Sequence, residues 1–452
     1  MKVRVLSRSS LEYTGALDGA GSVPRRPRNP DPALHPFERA VEEKRALNAV
    51  KLERVFAKPF VGVLGDGHLD GAYALARSRR FVSRMVSGSA DGEIAVWNLM
   101  RREADVTIKA HRGFVRGLAV STTVLEDEGE RYFSCGDDKT VKIWSVAGVR
   151  DSGKPTAVFR GTGVFYDVDT HWKDRIFCSA GQDGVDIWDE SRSEPVENLK
   201  WGPDSVTKVV FNPVEKDILA SCGADRSIAL YDVRLQTPVR KVILRMKSNS
   251  LAWNPMEAFN FVIANEDGNL YSYDMRKLKD ATCVHTDHVM AVMDVDFSPT
   301  GREFVSASYD KTIRIFKFNG GRSRDVYHTK RMQRVFAVKL SADSRFILSA
   351  SDDGDLRLWK AQASRPIKPL LPREKESLDY NQKLKQRFHD VPEIRRIQRH
   401  RHVPKVIKNL AKEKEIVKKS RQRKEKNLRA HSTPGTVPVR PTRKKHVVRE
   451  LE

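Results

Sequence analysis

Cysteine is scarce in this 452-residue chain, and its four cysteines do not cluster. Cys135, Cys178 and Cys222 lie 43 and 44 residues apart, at about equivalent positions of successive segments. Disulfide frameworks and zinc sites need closely spaced cysteines. We therefore expect buried thiols in a reducing compartment, without disulfides or metal ligation.

Long apolar runs are absent as well. No stretch of eighteen consecutive apolar residues occurs, so no membrane-spanning helix is expected. The first six residues, MKVRVL, do not lead into the apolar segment of a secretory signal. These absences predict an intracellular protein without a membrane partner.

A carboxylate–aromatic pair recurs seven times, and successive aromatic residues are 42 to 47 positions apart. The pairs are Asp91/Trp97, Asp138/Trp144, Asp183/Trp188, Asp225/Tyr231, Asp267/Tyr273, Asp310/Phe316 and Asp353/Trp359. A repeat of about 40–45 residues is typical of a β-propeller array. The sequence therefore predicts seven blades, and it gives most of these residues a structural role.

Two repeats show the fullest pattern, one opened by His111 and the other by His288. Alternation of period two between Asp, Gly and Lys turns indicates short antiparallel strands. The pattern resembles the WD-repeat family, in which His, Ser/Thr, Asp and Trp form a hydrogen-bonded set that locks each four-stranded blade. The resemblance implies an all-β, seven-bladed propeller and extends the locking role to His68.

The repeat is incomplete in places. The opening histidine is absent from the units that end at Tyr231, Tyr273 and Trp359, and we expect those blades to depend more on apolar packing. Residues 60–64 form an extended apolar stretch before His68. We predict that this stretch supplies the outer strand of the last blade and closes the ring.

Features of an enzyme are missing from the sequence. Hydrolysis needs a nucleophile, a base and an orienting group in one pocket, whereas the acids and histidines here recur with the repeat and are distributed around a ring. The chain has no Gly-rich phosphate loop, because the stretch 161–163 is too short to count. We expect no catalysis, no cofactor, no metal and no small-molecule substrate.

Positive charge is concentrated at the two ends of the chain. The formal net charge is +23, of which residues 1–60 carry +5, residues 61–359 carry none and residues 360–452 carry +18. A neutral scaffold with basic extensions indicates that the extensions meet a polyanion. Nucleic acid is favoured over membrane because the tail has few large apolar residues to insert.

The N-terminal flank has two parts. Residues 15–36 are rich in Gly, Pro and Arg, including Arg25, Arg26 and Arg28, and we expect this part to be extended or disordered on its own. Residues 37–58 carry apolar residues among Glu, Lys and Arg and are predicted to be helical. This helix either caps the propeller or docks onto a partner, and the sequence leaves both open.

The C-terminal flank is predicted to be helical and then extended. Residues 373–388 show a charged helical pattern, and Pro392 suits the first turn of a helix that runs to residue 402. A third helix begins at Pro404, and from Thr433 the chain is Pro-rich. The narrow apolar stripe of the third helix consists of Val406, Ile407, Leu410 and Val417.

Three interpretations of this tail stay open: a solvated helix without a partner, a nuclear import signal, and binding of RNA phosphates. With only Tyr380 and Phe388 as aromatic residues, base stacking has little support. The candidates for RNA or partner binding are Arg25, Arg26, Arg28, Arg395, Arg396, Arg399, Arg401, Lys405, Lys418, Lys419, Arg421, Arg423 and Lys424. The import candidates are Lys418, Lys419, Arg421, Arg423, Lys424, Arg443, Lys444 and Lys445.

Both flanks carry specific stretches. They are NPDPALHPFE (29–38), RALN (45–48) and KLERVFAKPF (51–60) before the repeats, and DYNQKLK (379–385), RHRHVPK (399–405) and KKHVV (444–448) after them. These stretches resemble the Sof-type WD-repeat family over essentially the whole chain. The resemblance implies an N-terminal extension (1–59), a propeller (60–370) and a basic, helical Sof-like domain with an extended tail (371–452).

The same resemblance implies a cellular role. Proteins of this family are nucleolar scaffolds of the small-subunit processome, in a particle with U3 small nucleolar RNA and the 18S rRNA precursor, whose processing they support. We therefore expect a nuclear and nucleolar protein whose partners are processome proteins and these RNAs, met directly or through the particle.

A second function comes from two arginines. Arg234 and Arg276 each lie two residues after an Asp that follows the repeat tyrosine. This arrangement resembles the motif with which WD-repeat receptors engage the propeller adaptor of cullin-4 RING ubiquitin ligases. The alternative is that both arginines only pair with neighbouring carboxylates on adjacent blades.

Overall fold

A computed structural model describes residues 31–121, 130–145, 153–200, 202, 204–235, 237–433 and 435–451. These residues fall into two units. The described part of the first unit consists of residues 31–59 and Gln362–His402, and the second unit is Phe60–Ala361 with the described residues from Val403 onward. The boundaries 1–59, 60–370 and 371–452 stay a prediction, and the described residues from Val403 onward belong to the same unit as the propeller.

The second unit is built from seven antiparallel sheets, which we call blades 1 to 7 in the order of their innermost strands. Blades 1 to 3 contain β2 (Ala72–Arg77), β3 (Arg84–Ser89), β4 (Glu93–Asn98), β5 (Glu103–Lys109), β6 (Val115–Val120), β7 (Arg131–Gly136), β8 (Thr140–Ser145), β9 (Ala157–Arg160), β10 (Phe165–Thr170), β11 (Ile176–Gly181), β12 (Gly184–Asp189) and β13 (Glu197–Leu199). Blades 4 and 5 contain β14 (Val206–Phe211), β15 (Ile218–Gly223), β16 (Ser227–Asp232), β17 (Pro238–Leu244), β18 (Ser248–Trp253), β19 (Asn260–Asn265), β20 (Asn269–Asp274) and β21 (Cys283–Thr286). Blades 6 and 7 contain β22 (Val292–Phe297), β23 (Glu303–Ser308), β24 (Ile313–Lys317), β25 (Ser323–Tyr327), β26 (Val335–Leu340), β27 (Phe346–Ser351) and β28 (Leu356–Lys360).

Burial along each blade follows the position of the strand in the ring. The second strands are buried on both faces, as in β11 and β15, because each lies inside its sheet and between neighbouring blades. Fourth strands such as β5 are largely exposed. The first strands of successive blades contact one another, and β26 of blade 7 contacts β2 of blade 1. The predicted seven-bladed β-propeller is therefore confirmed.

The ring is closed by the N-terminal strand. Strand β1 (Phe60–Val63) pairs antiparallel with β28 and completes blade 7, with Phe60 opposite Trp359 and Val63 opposite Arg357. The rings of Phe60 and Trp359 lie 5.3 Å apart in an edge-to-face arrangement, which is a favourable geometry for aromatic pairs. The predicted role of residues 60–64 in closure is confirmed for Phe60–Val63.

Blade 2 holds the complete hydrogen-bonded set. Trp144 Nε1 donates to Ser134 Oγ at 2.9 Å, and Ser134 Oγ lies 2.8 Å from His111 Nε2. His111 Nδ1 lies 2.9 Å from the Asp138 carboxylate, which also accepts from Thr140. Because the Asp138 carboxylate can only accept, Nδ1 carries the proton, and in the neutral imidazole Nε2 accepts from the Ser134 hydroxyl. Burial lowers the pKa of His111 and so favours this neutral form.

The other blades use the repeat residues differently. In blades 3 and 7, Trp188 and Trp359 donate to Ser179 and Ser349. In blade 4, the Asp225 carboxylate pairs with Lys241 at 2.7 Å. Blade 4, which lacks the opening histidine, thus holds its repeat aspartate in an ion pair, and the expectation that such blades depend more on apolar packing stays a prediction.

The cysteines lie in the second strands of three consecutive blades. Cys135, Cys178 and Cys222 are free and fully buried. Burial raises the pKa of the Cys222 thiol to about 12 and raises the pKa of Cys135 and Cys178 as well. The prediction of buried thiols is confirmed.

None of the helices in the described part of the chain is long and apolar enough to cross a membrane.

Four α-helices lie in the described part of the flanks. They are α1 (Glu38–Val55), α2 (Pro372–Arg387), α3 (Pro392–Arg399) and α4 (Lys405–Ala430), and a short 3-10 helix, Pro32–Leu34, precedes them. Pro372 and Pro392 occupy the first turns of α2 and α3, where a missing N–H costs nothing. The four helices agree with the helical segments predicted from the sequence within a few residues.

Candidate nucleic-acid interface

Helices α1, α2 and α3 share a small apolar core in the first unit. Ala46, Val50, Leu384, Phe388 and Ile394 form this core, and the buried Glu42 pairs with Arg387 at 2.6 Å. The buried face of α1 therefore packs on α2 and α3, an arrangement that the sequence did not predict. The two roles proposed for α1, capping and partner docking, stay predictions.

Phe388 has a structural role. Its side chain lies in the core of the first unit and is 7% exposed, and Tyr380 packs against the same core as a partly buried residue. A ring that stacks on an RNA base must present a free face. The two tail aromatics are accordingly used for packing, which counts against base stacking.

An arginine-lined cleft lies on the same unit. Arg395, Arg396, Arg399 and His400 line an open cleft of about 570 Å³ together with Asp390 and Pro392. The guanidinium groups of Arg395, Arg396 and Arg399 form no ion pair with any described residue. The structure thus brings three predicted RNA candidates together, with their charge available to a ligand.

Arg401 is placed differently from these three. Its guanidinium donates to the main-chain carbonyl of His400 at 3.0 Å and to that of Gln398. Arg54 of α1 donates to the same Gln398 carbonyl at 2.7 Å. Arg401 therefore has a local structural use. Arg25, Arg26 and Arg28 lie outside the described residues.

Helix α4 is the longest basic element and is exposed along most of its length. Ile407 is its one buried residue. The predicted apolar stripe is only partly covered: Ile407 is buried, whereas Val406 is 69% exposed and Val417 is 48% exposed. The cluster that contains Lys418, Lys419, Arg421, Arg423 and Lys424 is exposed on this helix.

One lysine attaches α4 to the propeller. Lys414 Nζ donates to the main-chain carbonyls of Asp267 at 2.8 Å and His288 at 3.3 Å. Loss of solvation around this ammonium lowers the pKa of Lys414, while the charges of Asp267 and Asp310 oppose the shift. Gly268 suits this contact because its φ of +82° favours glycine and an added Cβ would lie 2.9 Å from the main-chain oxygen of Met290.

The second basic cluster is held against its surroundings. Lys444 lies 3.3 Å from Asp280, and Lys445 lies 2.9 Å from Glu425 of α4. The Arg443 carbonyl accepts from the Ala281 N–H at 3.2 Å. The basic residues of 418–424 are exposed, and Arg443 and Lys444 are exposed as well, but Lys444 and Lys445 pair with acidic side chains of the fold.

The chain beyond the second cluster forms an unpredicted strand. Strand β29 (Val447–Leu451) pairs antiparallel with β17 and adds a fifth strand to blade 4. Just before it, the His446 ring stacks on Tyr271 at 3.8 Å, and His446 Nε2 accepts from the hydroxyl of Tyr273. This segment is extended, as the sequence predicted, and its pairing, which was not predicted, covers a sheet edge that would otherwise be open.

His446 thus places a histidine ring against blade 5, whose own repeat lacks the histidine at its start. The residue was absent from the candidates because it lies 173 positions from Tyr273. A local signal was present: two β-branched valines follow His446 after a Pro-rich basic segment, which is the composition of a short strand. His285 of the same blade bonds Ser272 Oγ at 2.7 Å.

The two arginines of the ligase motif adopt the same geometry. Arg234 and Arg276 each donate in a fork to the Asp two residues earlier, with the shortest contact at 2.8 Å in both. Their side chains are 70% and 63% exposed. Arg234 also lies 3.5 Å from Asp217 of the same blade. Each arginine thus pairs with carboxylates of its own blade. The alternative had placed these carboxylates on adjacent blades, and that placement is wrong.

Comparisons with known proteins agree with this architecture. The Sof1-like domain model matches residues 361–447, and the WD domain, G-beta repeat model matches 104–145, 281–317 and 325–360. The chain is 52% identical over 454 residues to "DDB1- and CUL4-associated factor 13" of Xenopus tropicalis, with 100% of both chains covered. It is 51% identical over 450 residues to the protein of the same name of Homo sapiens, with 99% of each covered. It is 48% identical over 467 residues to "Protein SOF1" of Saccharomyces cerevisiae, covering 99% of this chain and 94% of the relative. These full-length identities show that the chain belongs to the family of WD-repeat proteins with a Sof1-like domain.

Proposed function

We propose that this protein is a non-catalytic scaffold of ribosome biogenesis. In this proposal it works in the nucleolus as a component of the small-subunit processome, and it supports processing of the 18S rRNA precursor in a particle with U3 small nucleolar RNA. Its kinship with Protein SOF1 supports the proposal. Its partners would be processome proteins and these RNAs.

The charge distribution is the observation that carries this proposal. The propeller region is neutral overall, whereas residues 360–452 hold a net charge of +18. Arg395, Arg396 and Arg399 line one cleft, and α4 exposes its basic residues along 26 residues. Cations that are left without ion pairs are suited to neutralise phosphates of a nucleic-acid backbone.

The use of the repeat residues supports the non-catalytic part. The His111–Asp138 and His288–Asp310 pairs belong to blades 2 and 6, and each is engaged by hydrogen bonds inside its own blade. No group of three metal-ligating side chains occurs among the residues that the structure describes. These acids and histidines are therefore committed to the scaffold.

Crosslinking in cells tests the proposal. We expect the tagged full-length protein to yield RNA reads concentrated on U3 and on the small-subunit precursor. Arg395→Gln, Arg396→Gln and Arg399→Gln together should reduce those reads severalfold at unchanged protein level, because they remove three phosphate-binding charges. Reads spread over RNAs in proportion to their abundance would contradict the proposal. Substitution is preferred to deletion of residues 392–452, since deletion would also remove the buried Ile394 and His446.

A second candidate function is a substrate receptor of a cullin-4 RING ubiquitin ligase. The names of the vertebrate relatives favour it. The exposed, equally oriented guanidinium groups of Arg234 and Arg276 offer two matched contacts on neighbouring blades. Both functions are compatible with one propeller, because different faces can serve different partners.

Binding to the purified ligase adaptor tests this second function. We expect Arg234→Ala with Arg276→Ala to weaken adaptor binding at least tenfold, because arginine anchors dominate many interfaces. Arg101→Ala with Arg192→Ala is the matched control, since these exposed arginines occupy the corresponding hairpins of blades 1 and 3. Equal binding by the wild-type protein and both variants would contradict the motif.

A further inference from the structure

Helix α4 has a side that faces the propeller and a side that faces away. Ile407, Lys414 and Glu425 mark the first side, because Ile407 is buried, Lys414 contacts two propeller carbonyls, and Glu425 pairs with Lys445 of the docked tail. At 100° per residue these three positions fall within about 20° of one another on the helix surface. The orientation of α4 is therefore defined along most of its length.

The opposite side carries a row of basic residues. Its members lie within a sector of about 60°, centred roughly 150° from Lys414. They are Lys405, Lys408, Lys412, Lys419, Arg423 and Lys426. We call this set the outward row. Among the described residues only Lys419 of this set has an ion-pair partner, Glu415 at 2.9 Å.

The dimensions of the outward row suit a nucleic-acid strand. From Lys405 to Lys426 the helix rises about 32 Å, so that neighbouring cations are on average about 6 Å apart. This separation is comparable to that of successive phosphates along one strand. A straight row of long, flexible cationic side chains can therefore follow a phosphate backbone without reading bases.

The composition of the row argues against a protein or a membrane as its ligand. A protein partner is normally anchored by aromatic or apolar side chains at the centre of the interface, and a membrane surface needs large apolar residues to insert. Ile416 lies about 20° outside this sector and is 66% exposed. The row thus supplies charge without an apolar anchor.

We infer that the outward row of α4 is an RNA-backbone binding site, held at a fixed orientation by the contact of Lys414 with the propeller. The inference rests on the proposed function and specifies which cations of the tail meet phosphate. It adds Lys408, Lys412 and Lys426 to the residues predicted from the sequence. Lys418, Arg421 and Lys424 lie on or beside the propeller-facing side and contribute less.

Two triple variants of the full-length chain test this inference, with a single-stranded RNA of thirty nucleotides as the probe. One is Lys408→Gln, Lys412→Gln and Arg423→Gln in the row, and the other is Lys418→Gln, Arg421→Gln and Lys424→Gln beside it. Both lose two lysines and one arginine from the same exposed helix. We expect the first to lose about tenfold in affinity and to flatten the slope of log K against log salt by about 2, and the second to lose under about threefold. Helix content and thermal unfolding are measured for both, so that a folding defect is recognised.

Each outcome is decisive. Equal losses in the two variants would show that charge density matters and not its position, which overturns the inference and leaves the proposed function intact. No RNA binding by the wild-type chain would overturn the inference, whereas the proposed function, in which the RNAs are met directly or through the particle, is decided by the crosslinking experiment. Equally tight binding of polyglutamate, with the same loss in the first variant, would assign the row to an acidic protein and overturn the inference.

Discussion

Replacing Asp310 with alanine is expected to lower the free energy of unfolding by about 3–5 kcal/mol, because each buried donor left without an acceptor costs about 1–3 kcal/mol. The Asp310 side chain is 1% exposed and lies 2.8 Å from His288 Nδ1. It also accepts from the N–H and the hydroxyl of Thr312, at 3.0 and 2.5 Å. These hydrogen bonds and the charge of His288 outweigh burial and hold the pKa of Asp310 well below its usual range. Without the carboxylate, three buried donors lose their acceptor. Urea denaturation of the full-length chain measures the change.

The same change in blade 1 should have a small effect. Asp91 occupies the equivalent repeat position but is exposed, and its carboxylate makes no hydrogen bond with the described residues. His68 instead bonds Ser87 Oγ at 2.6 Å, the acceptor that Trp97 also uses. Asp91→Ala is therefore expected to change stability by less than about 0.5 kcal/mol. If Asp91→Ala and Asp310→Ala lower the free energy of unfolding equally, then burial of this aspartate does not determine how much it contributes to stability.

Replacing His446 with alanine is expected to cost about 2–4 kcal/mol, comparable to truncating a large buried ring. The ring is 6% exposed, stacks on Tyr271 and accepts from Tyr273. Its carbonyl accepts from the Arg245 N–H at 3.0 Å, at the entry to β29. Loss of the ring leaves a cavity, an unpaired tyrosine hydroxyl and a weakened fifth strand of blade 4. Thermal unfolding and protease sensitivity of residues 447–451 report the two effects.

The contribution of His446 also depends on pH. Burial lowers the pKa of His446 to about 4, while the charge of Asp267 opposes the shift. The unfolded chain binds a proton at His446 near pH 6.5, whereas the folded chain binds it only near pH 4. The stability that the neutral His446 contributes is therefore present above pH 6.5 and is lost as the pH falls toward 4. We expect the wild-type protein to lose about 2 kcal/mol more than the His446→Ala variant between pH 7.5 and pH 5.

A matched control for His446 lies at the end of α4. His431 is exposed there, and His431→Ala is expected to leave stability within about 0.5 kcal/mol at either pH. His68 and His285 remain in both variants, and burial lowers the pKa of each to about 4. Their contribution therefore cancels in the comparison. Parallel pH profiles for the wild-type protein and the His446→Ala variant would contradict the assignment.

The repeat and the helices could be predicted because their signals are local. A blade is four short strands joined by tight turns, so its alternation and its Asp turn are contained in about 43 residues. The helices were found from Pro372 and Pro392 and from their charged patterns. The strand at Phe60–Val63 was predicted for a different reason, since a closed ring requires a partner for β28.

The residues that were missed or misplaced depend on contacts between distant parts of the chain. Phe388 and Val406 have similar apolar character in the sequence, yet the first is buried in the core with α1 and the second is exposed. Asp91 and Asp310 share one repeat position, yet their burial differs. Periodicity cannot distinguish such cases, because burial depends on which remote segment covers a side chain.

The sequence by itself determined the seven-bladed propeller, the neutral centre, the basic ends and the family, since all four are properties of composition and of motifs within short windows. Tertiary structure decided how the basic tail is used. The contact of Lys414 with the carbonyls of Asp267 and His288 orients α4, and the contact of His446 with Tyr273 docks the segment that contains Lys444 and Lys445. These contacts join residues 126 to 173 positions apart. Only the packed chain therefore separates the cations that are held in the fold from those that remain exposed.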